Sequence, residues 1–307
     1  MHLLEFPEAN IKRYIPAELS ECQSWQYIYI CDLFLRYQSQ LITKEQFLVD
    51  AAYKLLDMVP SKKKNQNSDN SNLILITELI EESFFEKIEN PDNPESYQLK
   101  IKQNYINNPV ESYKPLWRKY HGPSDGFMNV KFGEYRDALR LFLEFNKTGE
   151  IELLYELAAT LYRPKKPFLF VEKLLNKFDG DVRQKYNSYQ MKKRIDVFKK
   201  GPIGFVYGVY LYFASMQMFV SSAEVPWGDK VLDFSILFTQ QGESEEIEAD
   251  GIGLDAVVFV MAESGVFGNL EKVDLTSFWT IMIKMYDARI KELQLQKQQE
   301  NATSQSS

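Results

Sequence analysis

The chain has 307 residues, 45% of them apolar, with 18 Tyr and 21 Phe. That supply can bury a sizeable core in one large domain or two ordinary ones. A net charge of −7 argues against a general nucleic-acid binder, which needs a basic surface to displace counterions, and no basic patch dominates.

Residues 1–16, "MHLLEFPEANIKRYIP", hold no basic n-region and no long apolar run, so no signal peptide is expected. The Asn301-Ala302-Thr303 sequon then predicts no glycan. Residues 18–39 repeat apolar side chains at helical spacing, among them Trp25, Ile28, Tyr29, Leu33 and Leu35. Cys22 and Cys31 are the two cysteines. Placed in one helix they sit two and a half turns and roughly 13 Å apart, too far for a disulfide. Free buried thiols in a reducing compartment are expected. Thr43-Lys44-Glu45-Gln46 is a capping box for a helix running to about Asp57.

Residues 60–72 have no apolar side chain after Pro60 and include Lys62, Lys63 and Lys64, which predicts a flexible surface loop. Residues 73–88 read as a helix with acidic positions. Residues 90–126 carry five of the twelve prolines and predict irregular structure and a domain boundary. Beyond it, residues 132–149 form an amphipathic helix ended by Gly149, a C′ glycine. The next helix stops at Pro164, where the charge of Arg163 would offset the dipole. Residues 179–200 read as a polar helix with a thin apolar stripe.

Residues 201–223 hold no charge. Their length would span a bilayer, but Tyr207, Tyr210 and Tyr212 are costly among lipid tails, so a buried central helix is the better reading. Gly204 and Gly208 would let another helix approach closely. Residues 231–239 fit strand or helix. The last helix covers about 276–299, and residues 301–307 read as a disordered tail. The expected fold is mainly α, a multi-helix bundle with few or no strands. It divides into a helical module at 1–121 and a helical domain at 127–300.

Gly251-Ile252-Gly253-Leu254-Asp255-Ala256 matches the G-x-G-x-x-A spelling of a dinucleotide loop. That loop requires a strand ending at the first glycine. Here eleven residues separate it from the nearest strand candidate, and Glu243, Glu245, Glu246, Glu248 and Asp250 would repel a diphosphate. The plainer reading is a helix over 254–264, with Asp255 in its first turn. Metal chemistry is poorly supplied: the histidines are His2 and His121, and no Cys/His cluster has ligand spacing. There is no Walker loop and no G-x-S-x-G. Adjacent carboxylates such as Glu81/Glu82 and Glu245/Glu246 read as solvated surface. No catalytic, cofactor-binding or metal-binding residue is singled out, and no cofactor is expected.

Three stretches carry a resemblance: "FLEFNKTGEIELLYELAATLYRP" (142–164), "VFKKGPIGFVYGVYLYFASMQMFV" (197–220) and "GLDAVVFVMAESGVFGNLEKVDLTSFWTIM" (253–282). Together they resemble tail-morphogenesis proteins of phages and prophages. The last stretch is also similar to the helical core of tail assembly chaperones, which bind the tape-measure protein. The resemblance implies a non-enzymatic factor acting in the host cytoplasm or on the virion. It implies a protein partner, the tape-measure or another tail protein, with no nucleic acid and no membrane. Two other classes are carried: an enzyme with a carboxylate site around Glu263 and residues 243–250, and a membrane-inserted protein using residues 201–223.

Overall fold

The computed structural model describes residues 1–6, 10–58, 67–90, 93–228, 230–238 and 269–305. Over these the chain is mainly α: 59% is helical, in ten helices, and 15% forms strands in small sheets. Those strands correct the expectation of a bundle with few or none. They form antiparallel hairpins at the chain's bends rather than a central sheet. The first pairs β1 (His2–Phe6) with β2 (Ile11–Ile15). The second pairs β3 (Phe85–Asn90), which takes over the end of the stretch read as helix to residue 88, with β4 (Asn93–Ile101) in the stretch expected to be irregular. A three-stranded sheet joins β5 (Ser112–Tyr113), β6 (Tyr120–His121) and β7 (Arg163–Pro164). The last pairs β8 (Glu224–Trp227) with β9 (Lys230–Asp233). The ambiguous stretch at 231–239 is therefore strand first, followed by a 3-10 turn at Phe234–Leu237.

The helices are α1 (Ser24–Gln38), α2 (Lys44–Leu55), α3 (Asn67–Phe84), α4 (Phe132–Thr148) and α5 (Ile151–Leu161). Then come α6 (Leu169–Leu174), α7 (Met191–Phe198), α8 (Ile203–Ser222), α9 (Leu270–Asp274) and α10 (Phe278–Gln305). The Thr43 box forms as its spelling dictates. Gln46 N–H donates to Thr43 Oγ1 at 3.2 Å, and Thr43 N–H donates to Gln46 Oε1 at 2.9 Å. Gly149 ends α4 in the left-handed region, at φ 71°. Several boundaries differ from expectation. Residues 67–72, read as loop, begin α3, whereas residues 59–66 lie outside the described residues. Cys22 precedes α1 rather than joining Cys31 within it. Both thiols are buried and free, and burial pushes the Cys22 thiol up to about 12. Residues 179–200 hold only the short α7. Helix α10 runs through residues 301–305, where a disordered tail was expected.

The uncharged segment forms α8, and the fold packs around it. It is the one helix among the described residues long and apolar enough to cross a membrane, by length and composition only, and 72% of that stretch is buried within the protein. Helices α1, α4 and α5 pack on it. The α1 crossing is close because it runs over glycine. A Cβ on Gly204 would lie 2.1 Å from the Ile28 carbonyl oxygen, and one on Gly208 would lie 2.7 Å from the Tyr27 ring. The tyrosines of α8 find polar partners within the protein. Tyr207 O–H donates to Gln38, Tyr210 O–H to Asn146 Oδ1 at 2.7 Å, and Tyr212 O–H to the carbonyls of Ile106 and Ser124, each at 3.2 Å. Tyr27 O–H of α1 reaches the Gly208 carbonyl at 2.8 Å.

The core is continuous across the expected module boundary at 121–127. One cluster of buried side chains runs from Ile15 and Phe34 through Phe127 and Phe213 to Phe278. The N-terminal helices thus share their interior with the C-terminal ones. Gly204→Ala tests the α1–α8 crossing. The added methyl meets backbone, which has no rotamer to swing away, so we expect a loss of about 1–3 kcal/mol, as for overpacked cores. Urea unfolding should show a lower midpoint at unchanged slope; an unchanged midpoint would mean the helices are not held this close.

Candidate interaction surface and its buried charged base

The three-stranded sheet is short, but its register decides where two loops project. Strands β5 and β6 pair Ser112 with His121 and Tyr113 with Tyr120, so residues 114–119 form a hairpin loop. Strand β6 then pairs Tyr120 with Pro164 and His121 with Arg163 of β7. Residue 119, just before β6, and residue 165, just after β7, therefore leave the same end of the sheet. Beyond Pro164 the chain stays extended and pairs with its own return. Lys166 N–H donates to the Val182 carbonyl at 2.9 Å, and Gln184 N–H donates to the Pro164 carbonyl at 2.8 Å. Residues 167–181, including α6, are the excursion between these strands.

Both projections carry large apolar side chains in water. Trp117 is 88% exposed, and Leu116 beside it is also exposed. On the second projection Phe168 (71%), Phe170 (77%) and Leu174 (70%) stand out with Val171 and Leu175, while Leu169 alone of α6 is buried. Single exposed apolar residues are ordinary, but clustered ones mark contact surfaces. Basic residues accompany them. Residues 114–119 and 165–178 hold seven Lys or Arg against one acid, Glu172. This patch is not legible in the sequence, because its halves lie about fifty residues apart and only the β6–β7 register unites them. The available signal was local: two short basic, aromatic runs in a chain of net charge −7.

Under the second projection lies a charged cluster with almost no access to water. Arg163, Arg183 and Glu134 are fully buried, and Asp181 is nearly so. Arg183 uses all five of its N–H donors. Nε reaches Asp181 Oδ1 at 2.9 Å, and Nη1 reaches Glu134 Oε1 at 2.7 Å and the Leu161 carbonyl at 2.9 Å. Nη2 reaches the Asn129 carbonyl at 2.9 Å and Glu134 Oε2 at 3.2 Å. Arg163 contributes ion pairs to Glu134 at 2.9 Å and Asp181 at 3.1 Å, but its Nε has no partner. Glu134 sits in the first turn of α4, where the helix dipole favours a carboxylate.

This arrangement adds to the sequence reading of Arg163, whose charge lies just past the end of α5 but is paired with Glu134 and Asp181. The carbonyls at the end of α5 are taken instead by Arg183, on Leu161, and by Arg194, whose Nε reaches the Ala159 carbonyl at 2.7 Å. The shifts follow from position. Burial lowers Arg163, and the neighbouring Arg183 charge adds to it. Burial also works against Arg183, but Glu134 and Asp181 more than offset it and leave its pKa raised. Burial, then the Arg163 charge, lowers Arg194 to about 10. All three remain cationic near neutral pH. The physical role of the cluster is to fix Asp181 and Arg183, the returning strand of the second projection, against α4 and α5.

The other residues weighed from sequence are scattered. His2 lies in β1 and His121 in β6. Glu81 of α3 pairs with Lys44 at 3.1 Å and with Lys87 at 3.6 Å, while Glu82 is exposed. Among the described residues no group of three or more His, Cys, Asp or Glu is placed to hold a metal ion. The Lys62–Lys64 run, the 243–250 acidic run, Gly251, Gly253, Asp255 and Glu263 lie outside the described residues. Comparison with models of protein families, with curated proteins and with solved structures gives no match. The functional reading therefore rests on this surface and on the resemblance in the sequence.

Two outcomes are expected. Glu134→Gln leaves buried guanidinium charge uncompensated and should destabilise by about 3–5 kcal/mol, the scale for a broken buried pair. Glu144→Gln, whose pair with Arg140 is exposed, should leave the unfolding midpoint nearly unchanged. The second outcome concerns His121, held below the ordinary histidine range by burial and then by Lys119 and Lys165. The unfolded chain takes up that proton first, so this residue's stabilising share is present above the ordinary histidine pKa and fades as pH falls through it. An NMR titration should place the His121 midpoint low and move it upward in Lys119→Gln. A midpoint unmoved by that change would separate residue 119 from the His121 end of the sheet.

Proposed function

We propose that the protein is a non-enzymatic, protein-binding factor whose contact surface is the pair of projections at 114–119 and 165–178. The observation that carries this reading is the clustering of Trp117, Phe168, Phe170 and Leu174, each at least 70% exposed, on one end of one sheet. Leaving such side chains in water forgoes about 1.5–3 kcal/mol for each that would otherwise be buried. A partner that covers them recovers this, and aromatic anchors are what binding surfaces use most. The buried ion pairs below hold the second projection in place before the partner arrives, which lowers the ordering cost of binding.

The resemblance to phage and prophage tail-morphogenesis proteins gives the setting: tail assembly, with the tape-measure protein or another tail protein as partner. Two of the three stretches behind it become the end of α4 with α5, which leads into β7, and α8, and the third is described only from residue 269. The test is co-expression of the tagged protein with the products of adjacent genes. A specific partner should co-purify with the wild type. The triple change Trp117→Ser, Phe170→Ser, Leu174→Ser should weaken retention at least tenfold, in line with loss of more than about 1 kcal/mol per central anchor, while the melting temperature holds. Retention within twofold of wild type would place the contact elsewhere.

A further inference from the structure

Resting on that reading, we infer that the segment covering the two projections is acidic and apolar: a stretch of a partner protein in which Asp or Glu interleave with large hydrophobic side chains. Charge complementarity carries the inference. Lys114, Arg118, Lys119, Lys165, Lys173 and Lys177 are all exposed. None makes an ion pair among the described residues. Lys166 is different. It is spent within the second projection on Glu172 at 3.0 Å and Asp179 at 2.7 Å, and it serves as a brace. Among the described residues, six exposed cations without ion pairs therefore share the two projections with the exposed aromatic and aliphatic side chains. They already act on each other's neighbourhood: Lys119 and Lys165, from different projections, both depress His121. Bringing a basic or neutral apolar segment here would bury or crowd these charges without partners, which is costly. Carboxylates would relieve them and also steer the encounter.

Other anionic surfaces fit less well. A nucleic acid offers base faces for stacking, but Leu116, Val171, Leu174 and Leu175 are aliphatic and would meet sugar and phosphate. An anionic bilayer is an extended plane that feels the whole facing side of the protein. The chain is net −7, and exposed Glu111 and Asp179 flank the projections. A protein segment engages only the patch.

The experiment uses the full chain and two designed 18-residue helical peptides with the same Leu/Phe face. One has Glu at its polar positions and the other Lys. Vesicles of phosphatidylcholine with and without phosphatidylglycerol are run in parallel. Saturable binding of the Glu peptide is expected by calorimetry, weakening at least tenfold between 50 and 300 mM salt. The double change Lys119→Glu, Lys173→Glu should weaken it at least tenfold with an unchanged melting temperature. The His121 resonance should titrate at higher pH in the complex, because bound carboxylates offset Lys119 and Lys165. A merely structural role for the lysines would not produce that shift. Absence of saturable Glu-peptide binding, equal binding of the Lys peptide, or binding to phosphatidylglycerol vesicles alone would overturn the inference. The co-expressed partner separates the two levels of the proposal. If it is lost on changing Trp117, Phe170 and Leu174 but kept on reversing the lysines, the acidic partner is wrong and the binding surface stands. If both variants keep it, the binding surface is wrong too.

Discussion

The place of the second projection depends on one buried electrostatic contact, the Glu134 carboxylate facing the guanidinium groups of Arg163 and Arg183. Two cations and a carboxylate fully out of water are expensive, and direct pairing alone seldom repays the desolvation. Here the repayment comes from completeness around Arg183, whose every donor is used. Four segments meet at that one side chain: the loop at Asn129, the first turn of α4, the end of α5 and the loop at Asp181. A hydrophobic replacement of the same volume would fill the space. It would not cap α5 or orient the Asp181 turn.

This explains why a short excursion with only one buried side chain in its helix keeps a defined place. Residues 167–178 contribute little to the core, since Leu169 alone of α6 is buried. Their position is inherited from both ends: from β7 through its pairing with β6, and from Asp181 and Arg183 through the charged cluster. The apolar residues are thereby free of structural duty.

Local rules were legible in the sequence wherever they act over a few residues. The Thr43 box, the Gly149 stop and the uncharged α8 each follow from neighbours in the chain. The role of Gly204 and Gly208 was legible too, because four-residue spacing places them on one face. What failed was everything set by distant partners. Residues 179–200 look like a polar surface helix, yet Asp181 and Arg183 turn inward because Glu134, some fifty residues earlier, waits there. Arg163 sits beside a helix end, which suggested an offset of the dipole, but its burial against Glu134 and Asp181 is set by partners that its neighbours in the chain do not reveal. The basic, aromatic surface was invisible for the same reason, being assembled from two runs that only a two-residue strand brings together. The Gly251 stretch and the acidic run before it lie outside the described residues.

The contact between α1 and α8 has a temporal side. The Tyr27 hydroxyl and the Gly208 carbonyl it grips are 181 residues apart in the chain. At ~5–20 residues per second, a ribosome that has finished α1 needs roughly 10–35 s to supply the helix it packs against. Throughout that interval Tyr27 and Cys31, which pack on Gly208, lack this cover. Phe34 gains native neighbours sooner, since it stacks on Phe47 and meets Phe84 and Phe85 edge-on. A cluster closed over so few residues forms quickly compared with one that awaits half the protein. The aromatic side chains of the first hundred residues thus close part of the final interior around a nascent α1, and α8 completes it on emerging.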